Sequence, residues 1–134
     1  MSFDKPSRTR KQERASSKRQ DAKVQHLARI IVFQEDQRCR FPWDATSEFP
    51  CSGPLELCHM KPRTKAETVN KPPEYRHDPR YMVMMCDGHH QGPYSYDGSI
   101  GGRGFTMEPL DNLKMFRGPC TFTDKDSGEI LGIN

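Results

Sequence analysis

Two regions of the chain, residues 82–92 and the loop between Cys39 and Cys51, together have the residue types and the spacing of a metal site. In "MVMMCDGHHQG", residues 82–92, Cys86 and His89 form a C-x-x-H pair, so two side chains from one tight turn can reach the same ion. Upstream, Cys39 and Cys51 bracket an irregular loop that can fold back onto that pair. Zinc prefers four such thiolate and imidazole ligands in a tetrahedron, at about 2.0–2.3 Å. We therefore predict a structural Zn²⁺ held by Cys39, Cys51, Cys86 and His89.

The cysteines also leave alternatives open. Cys58, in "LELCHM" at residues 55–60, competes with Cys51 as a ligand. Cys39 and Cys51 can also be buried thiols without a metal. Cys120 has no local partner, and we interpret it as a free structural thiol.

The composition favours a small domain that needs more than apolar burial to hold it. The chain has 134 residues, 33% of them hydrophobic, and a mean hydropathy of −0.92, which predicts one domain with a small core. The five cysteines are odd in number, and no signal peptide precedes them, so metal ligation in a reducing cytoplasm is favoured over disulfides. No apolar run approaches the ~20 residues that span a bilayer, which predicts a soluble protein.

The positive charge lies almost entirely in the first part of the chain. Residues 1–40 carry eleven Lys and Arg against five Asp and Glu, a balance of +6, whereas residues 41–134 carry ten against thirteen, a balance of −3. A basic arm of this kind suits a polyanion, because each neutralised phosphate releases counterions. A solubilising tail is the alternative interpretation.

The pattern along the chain predicts an α+β domain behind a disordered arm. Residues 1–20 have almost no apolar side chain to bury and are predicted to be disordered, or only transiently helical, when free. Residues 21–134 are predicted to form one domain, with an amphipathic helix over 21–35, a metal-binding core over 38–97 and a β-rich tail over 98–134. In the core, "PLELCHM" and "RYMVMMC" are interpreted as strands, separated by the long polar loop 61–79, and "DGHHQ" as a short helix.

The same two strands carry a resemblance to a known family. A strand ends in the doublet Cys58-His59, a variable loop follows, and a second strand ends in "MVMMCDGHH". The stretches "CRFPWD", "HHQGPYSYDG", "EPL" and "GPCTF" extend the similarity over roughly residues 38–122. In these features the chain resembles the HNH endonucleases, and more narrowly the phage-type HNH proteins.

The resemblance implies a ββα-metal fold that grips one divalent ion against a phosphodiester of DNA. His59 would be the general base that takes a proton from the attacking water, a task that suits imidazole. His90 would bind the catalytic ion, Mg²⁺ or Mn²⁺, together with Asp97 and with Cys58 as the least certain ligand. His89 would turn the other way, to the zinc. Tyr81 stands where the family has an Asn that orients the base, so another group would have to orient His59.

Basic residues of the long loop are predicted to contact the nucleic acid beside this site: Lys61, Arg63, Lys65, Arg76 and Arg80. A solvated charged loop is the alternative, and His77 is interpreted as an auxiliary ligand or a phosphate contact. Trp43 can stack on bases or belong to the core.

Besides a nicking endonuclease, the residues also fit an HNH-derived zinc module without turnover that binds DNA or phage packaging proteins, and a zinc ribbon that meets only proteins. Nothing in the sequence indicates an oligomer.

Overall fold

The computed structural model describes residues 9–42, 48–61, 63–98, 103–110 and 117–134. It has the mixed α+β composition that the sequence predicts, with small sheets and one long helix. No helix among the described residues has both the length and the apolar composition needed to cross a membrane. In chain order the elements are α1 (Arg10–Glu35), β1 (Leu55–His59), α2 (Pro73–Arg76), a 3₁₀ turn (Pro79–Tyr81), β2 (Met82–Cys86), α3 (Asp87–Gln91), β3 (Ser95–Tyr96), β4 (Gly104–Pro109), β5 (Cys120–Asp124) and β6 (Ile130–Ile133).

The first helix is longer than the sequence pattern predicts. It begins at Arg10 rather than at residue 21, so residues 10–20 are helical where we predicted a disordered arm. A capping box explains this start: the Thr9 side chain accepts from the Gln12 backbone N–H, and the Gln12 side chain accepts from the Thr9 backbone N–H. Residues 1–8 of the predicted arm lie outside the described residues.

The hairpin of β1 and β2 lies between two hydrophobic layers. The strands pair antiparallel, with Leu57 opposite Met84 and His59 opposite Met82. Met82 and Met84 pack against Ala28 and Val32 of α1, whereas the alternate residues of β2 face the second layer. All five residues of β2 are buried, because both faces of the strand are covered. This double burial explains why "MVMMC" is a continuous apolar run.

The second layer is a four-stranded sheet in the order β3-β4-β5-β6, in which the strands of the β-rich tail pair with β3. Phe105 of β4 and Phe122 of β5 are fully buried and pack with Phe41, which lies in the loop between Cys39 and Cys51. The turn at residues 126–128 joins β5 to β6 and has Gly128 at φ 75°, a backbone conformation that favours glycine. The tail therefore closes over the face of the hairpin that α1 does not cover.

A buried ion-pair cluster connects α1 to the hairpin and the tail. Asp36, the C-cap of α1, accepts from Arg40 Nη1 at 2.9 Å, from Arg117 Nη2 at 2.7 Å and from the Met84 backbone N–H at 3.2 Å. Arg117 also donates to the backbone carbonyl of Met82 at 2.8 Å. Asp36 thus fixes the end of α1 against β2 and against the segment that leads into β5.

Candidate metal centre and histidine cluster

The four predicted zinc ligands meet at one point. One ligand atom from each of Cys39, Cys51, Cys86 and His89 lies within 4.8 Å of all the others. His89 Nδ1 lies 3.2 Å from Cys86 Sγ and 3.6 Å from both Cys39 Sγ and Cys51 Sγ. The set can hold a metal ion such as zinc.

Four segments of the chain deliver these side chains. Cys39 follows α1, and its neighbour Arg40 donates its backbone N–H to the Met84 carbonyl at 3.0 Å. Cys86 is the last residue of β2, and His89 lies three residues later in α3. The loop that carries Cys51 docks on α3 because Gly88 donates its backbone N–H to the Ser52 carbonyl at 2.9 Å. A side chain at Gly88 would collide with the Ser52 hydroxyl, so the Ser52 side chain would have to move to admit one.

The hydrogen bonding of His89 shows which ring nitrogen faces the thiols. Its Nε2 lies 2.7 Å from the Phe49 carbonyl, which can only accept, so Nε2 carries the proton and Nδ1 is bare. Burial lowers the pKa of His89, which favours the neutral ring. Phe41 stacks on this ring with centroids 4.1 Å apart and holds its plane. A backbone carbonyl on the far nitrogen is the usual support of a metal-binding imidazole.

A metal ion accounts for this convergence better than thiol hydrogen bonds do. Nδ1 has one lone pair and can accept one S–H, yet three sulfurs lie 3.2–3.6 Å from it. Around a tetrahedral ion with bonds of about 2.0–2.3 Å, sulfur and nitrogen are separated by about 3.6 Å. Burial raises the pKa of Cys39 to about 12 and also raises that of Cys51, so a bound cation would have to displace their protons.

His59 lies at the end of β1 in contact with another histidine. Its Nε2 is 2.9 Å from His77 Nδ1, and His77 Nε2 is 3.0 Å from Asp21 Oδ1 on α1. His77 is fully buried, and His59 is half-buried. Burial, followed by the electrostatic effect of its neighbours His77, Arg76 and His90 on a protonated His59 ring, lowers the pKa of His59 to about 4. His59 is therefore neutral at neutral pH.

His90, the neighbour of His89, turns to the first strand of the hairpin. Its Nδ1 lies 2.8 Å from Glu56 Oε1, and Gln91 Nε2 donates to the same oxygen at 3.2 Å. Because a carboxylate only accepts, Nδ1 carries a proton, and in the neutral ring Nε2 is bare. The adjacent side chains of His89 and His90 thus face different surroundings.

Asp97 and Cys58 do not join His90. The Asp97 carboxylate binds the ammonium groups of Lys61 and, at 2.9 Å, Lys125, and these lysines hold its pKa below the usual range. Cys58 is 1% exposed in the core shared with the tail, where burial raises its pKa. Among the described residues, the zinc set is the one group of three or more Cys, His, Asp or Glu whose ligand atoms lie within 4.8 Å. In this structure the ligand atoms of His90, Asp97 and Cys58 therefore do not form such a cluster.

Most of the predicted phosphate contacts in the long loop already have partners within the chain. Lys65 is exposed, and Trp43 lies outside the described residues. The other four cations have these contacts: Lys61 with Asp97, Arg63 with the rings of Tyr75 and Tyr81 at 3.7 and 4.4 Å, Arg76 with Asp21 at 3.4 Å, and Arg80 with Asp78 at 2.6 Å.

Sequence reasoning assigned no role to Glu56 or Asp21 and gave His77 only an auxiliary one. A signal for Asp21 exists, since it stands seven residues before Ala28 and so lies on the inward face of α1. No comparable local pattern marks Glu56.

Comparison of the chain with models of protein families, with curated proteins and with solved structures finds no match in any of the three.

Proposed function

We propose that this chain is a zinc-stabilised endonuclease of the HNH type, which hydrolyses phosphodiester bonds in DNA and nicks one strand. The observation that carries the proposal is His59, a half-buried, neutral imidazole with one ring nitrogen tied to His77 and the other left to accept a proton. The chain order β1, β2, α3 is also the order of elements in a ββα-metal fold. The zinc centre would be structural, because its four protein ligands leave no open position.

The proposed chemistry divides between two histidines. His59 Nδ1 takes a proton from water as the water oxygen attacks phosphorus and the bond to the leaving oxygen breaks. His90 Nε2 is the atom that would hold a divalent ion, Mg²⁺ or Mn²⁺, with Glu56 fixing the imidazole ring. A single protein ligand suits these ions, which keep several waters and bind substrate phosphate directly. When bound, the ion would stabilise negative charge on the phosphoryl and leaving oxygens.

A basic cleft beside His77 supports DNA as the substrate. It runs between the first half of α1 and the long loop, and Arg76 on its wall contacts the same Asp21 that His77 contacts. Arg14 and Lys18, four residues apart on one face of α1, are exposed. The cations that line the cleft are Lys18, Lys65, Lys71 and Arg76. Cations along one groove can hold the phosphates on one side of the scissile bond.

Plasmid nicking tests the proposal. We expect the zinc-loaded protein to convert supercoiled DNA to the open-circular form with Mg²⁺ or Mn²⁺ but not without a divalent ion. His59→Ala should lower the rate by about 10²-fold or more, the usual contribution of a general base, with zinc content unchanged. His26→Ala, at an exposed position of α1, is the matched control and should cleave like the parent. Undiminished nicking by His59→Ala would rule out His59 as the base.

A second candidate is a DNA-binding zinc module without turnover. It is favoured by the position of Asp97 and Cys58, which leaves His90 without the two further protein ligands expected from the family pattern. Such a module could also assemble with phage packaging proteins. The same preparation separates the candidates, since salt-sensitive DNA binding without cleavage in either metal would support the module.

A further inference from the structure

Three side chains form a continuous hydrogen-bonded chain from α1 to the end of β1. We infer that His77 and Asp21 are positioning residues that keep the ring proton of His59 on Nε2, so that Nδ1 is the nitrogen that accepts a proton from water. The contacts are 2.9 Å between His59 Nε2 and His77 Nδ1 and 3.0 Å between His77 Nε2 and Asp21 Oδ1. The catalytic consequence rests on the proposed nuclease function; the placement of the proton does not.

Donor and acceptor roles follow from the carboxylate end of the chain. Ionised Asp21 can only accept, so His77 donates through Nε2–H. When the His77 ring is in its neutral form with the proton on Nε2, its Nδ1 is bare and accepts from His59 Nε2–H. His59 is left with a lone pair on Nδ1. When His59 takes up a proton there, its Nε2–H stays directed at His77, whose far side faces the negative charge of Asp21.

The fold holds each member of the chain on a different element. Asp21 lies on the inward face of α1, seven residues before Ala28. His77 is the C-cap of α2, where its backbone N–H donates to the Pro73 carbonyl at 2.8 Å, and its side chain is fully buried. His59 pairs with Met82 across the hairpin. A base whose partners are fixed by packed elements is preorganised for proton transfer.

Asp21 contacts two side chains, so the substitution at this position must change its contact with His77 while keeping the size of the side chain. Besides His77, it accepts from Arg76 Nη1 at 3.4 Å. Asp21→Asn keeps the size of the side chain, but its amide can donate to His77 Nε2. That reversal would make His77 donate from Nδ1 and would move the proton of His59 to Nδ1, where it blocks the base. His77→Leu removes the partner of His59 altogether. Asp126→Asn, at an exposed turn between β5 and β6, is the matched control for the charge change.

Nitrogen NMR of the histidine rings reads the proton directly and needs no substrate. For the ¹⁵N-labelled, zinc-loaded protein at neutral pH, we expect His59 to carry its proton on Nε2. In Asp21→Asn and His77→Leu this preference should be lost, whereas Asp126→Asn should match the parent. A parent spectrum with the His59 proton on Nδ1, or both variants with the parent tautomer, would overturn the inference. Far-ultraviolet circular dichroism and zinc content establish that each variant is folded.

Kinetics then separate this inference from the proposed function. If the parent nicks DNA, Asp21→Asn should lower kcat by about 10²-fold, within the range for a general base, and leave KM within about twofold, because the change does not remove a substrate contact. Loss of nicking in His59→Ala but parental kcat in both positioning variants would contradict the inference and leave the nuclease standing. A parent that shows the expected tautomer but never cleaves DNA would contradict the proposed function alone.

Discussion

His59, His89 and His90 each have one ring nitrogen occupied by a neighbour and one left for chemistry. His89 is held at Nε2 by the Phe49 carbonyl, His90 at Nδ1 by Glu56, and His59 at Nε2 by His77. Because an imidazole offers two distinct nitrogens, the neighbour decides which atom can bind a metal or accept a proton. At the scale of single residues, function therefore depends on the partners of the histidines as much as on the histidines themselves.

The depressed pKa of His59 predicts a pH dependence of stability. An unfolded histidine has a pKa near 6.5, and the folded value is about 4. Between these values the unfolded chain binds more protons, so the free energy of unfolding rises with pH, by up to about 1.4 kcal/mol per unit. The contribution is complete above about pH 6.5 and is lost as the pH falls towards about 4.

Urea titrations of the zinc-loaded parent and of His59→Gln, between about pH 5 and 7, measure this effect. The difference in unfolding free energy between the two proteins should shift in favour of the parent as the pH rises, because glutamine does not titrate. Loss of zinc in acid affects both proteins and cancels in the difference. A difference that does not change with pH would show that burial does not shift the titration of His59.

Residue types and spacing were sufficient to predict the four residues that cluster as candidate metal ligands, whereas the different orientations of His89 and His90 were expected only from the family resemblance. Residue types and spacing were insufficient to predict the hydrogen-bond partners of the histidines. The contact of His59 with His77 spans 18 residues, that of His90 with Glu56 spans 34, and that of His77 with Asp21 spans 56. Asp97 was assigned to the wrong neighbour for the same reason, since its lysine partners are 36 and 28 residues away. Such contacts follow from the packing of elements, which local spacing does not encode.

At the scale of elements, α1 has two halves with different duties. The second half is amphipathic and packs on the hairpin through Ala28 and Val32, which is why periodicity predicted residues 21–35. The first half has no apolar stripe, so its helicity was missed, although the capping box at Thr9 signals the true start. The strands, the short helix and the tail were predictable because their apolar runs are bounded by glycine and proline.

The exposed face of the first half of α1 should contribute to DNA binding. Arg14→Gln combined with Lys18→Gln removes two exposed cations from one face of the helix, of which Lys18 lines the cleft. The slope of log K against log salt concentration should become shallower by about 2, since each phosphate contact contributes about 0.9. Arg19→Gln combined with Lys23→Gln makes the same charge change on the opposite face of the helix.

Fluorescence anisotropy with labelled duplex DNA at several salt concentrations compares the two double variants. The opposite-face variant should keep a slope close to that of the parent. An equal decrease of this slope in the two variants would mean that the helix contributes only its overall positive charge, with no oriented binding face.

At the scale of the whole molecule, metal loading should decide whether the chain is folded. Structural zinc binds with about 10–16 kcal/mol, which is comparable to the whole stability of a domain, about 5–15 kcal/mol. Chelation should therefore abolish the cooperative thermal transition seen by circular dichroism, and re-addition of Zn²⁺ should restore it. Metal analysis should give one zinc per chain.

Substitution of one ligand tests the composition of the centre. Cys51→Ser should lose zinc and the thermal transition, although Cys51 is the exposed member of the set. Cys120→Ala changes a cysteine outside the set and should keep zinc. Full zinc content in Cys51→Ser would return Cys58 to consideration as a ligand.

The Asp36 cluster should be the second main support of the assembled molecule. Asp36→Ala leaves the Arg117 side chain, 9% exposed, without its buried counter-charge, a change that costs about 3–5 kcal/mol in comparable cases. Glu35→Gln removes the other carboxylate partner of Arg117, but that residue is 52% exposed and should contribute about 0–1 kcal/mol. Urea denaturation of both variants measures the free energy of unfolding. An equal decrease in the two variants would contradict a special role for Asp36.

The position of β2 has a consequence for how the molecule opens. Its residues belong to both hydrophobic layers, and its last residue is a candidate metal ligand. Neither layer can detach without exposing this strand, so α1, the metal centre and the tail should form a single cooperative unit rather than separate foldons. An ion bound on one side of the hairpin would then slow the opening of a helix on the other side, with no contact between the two.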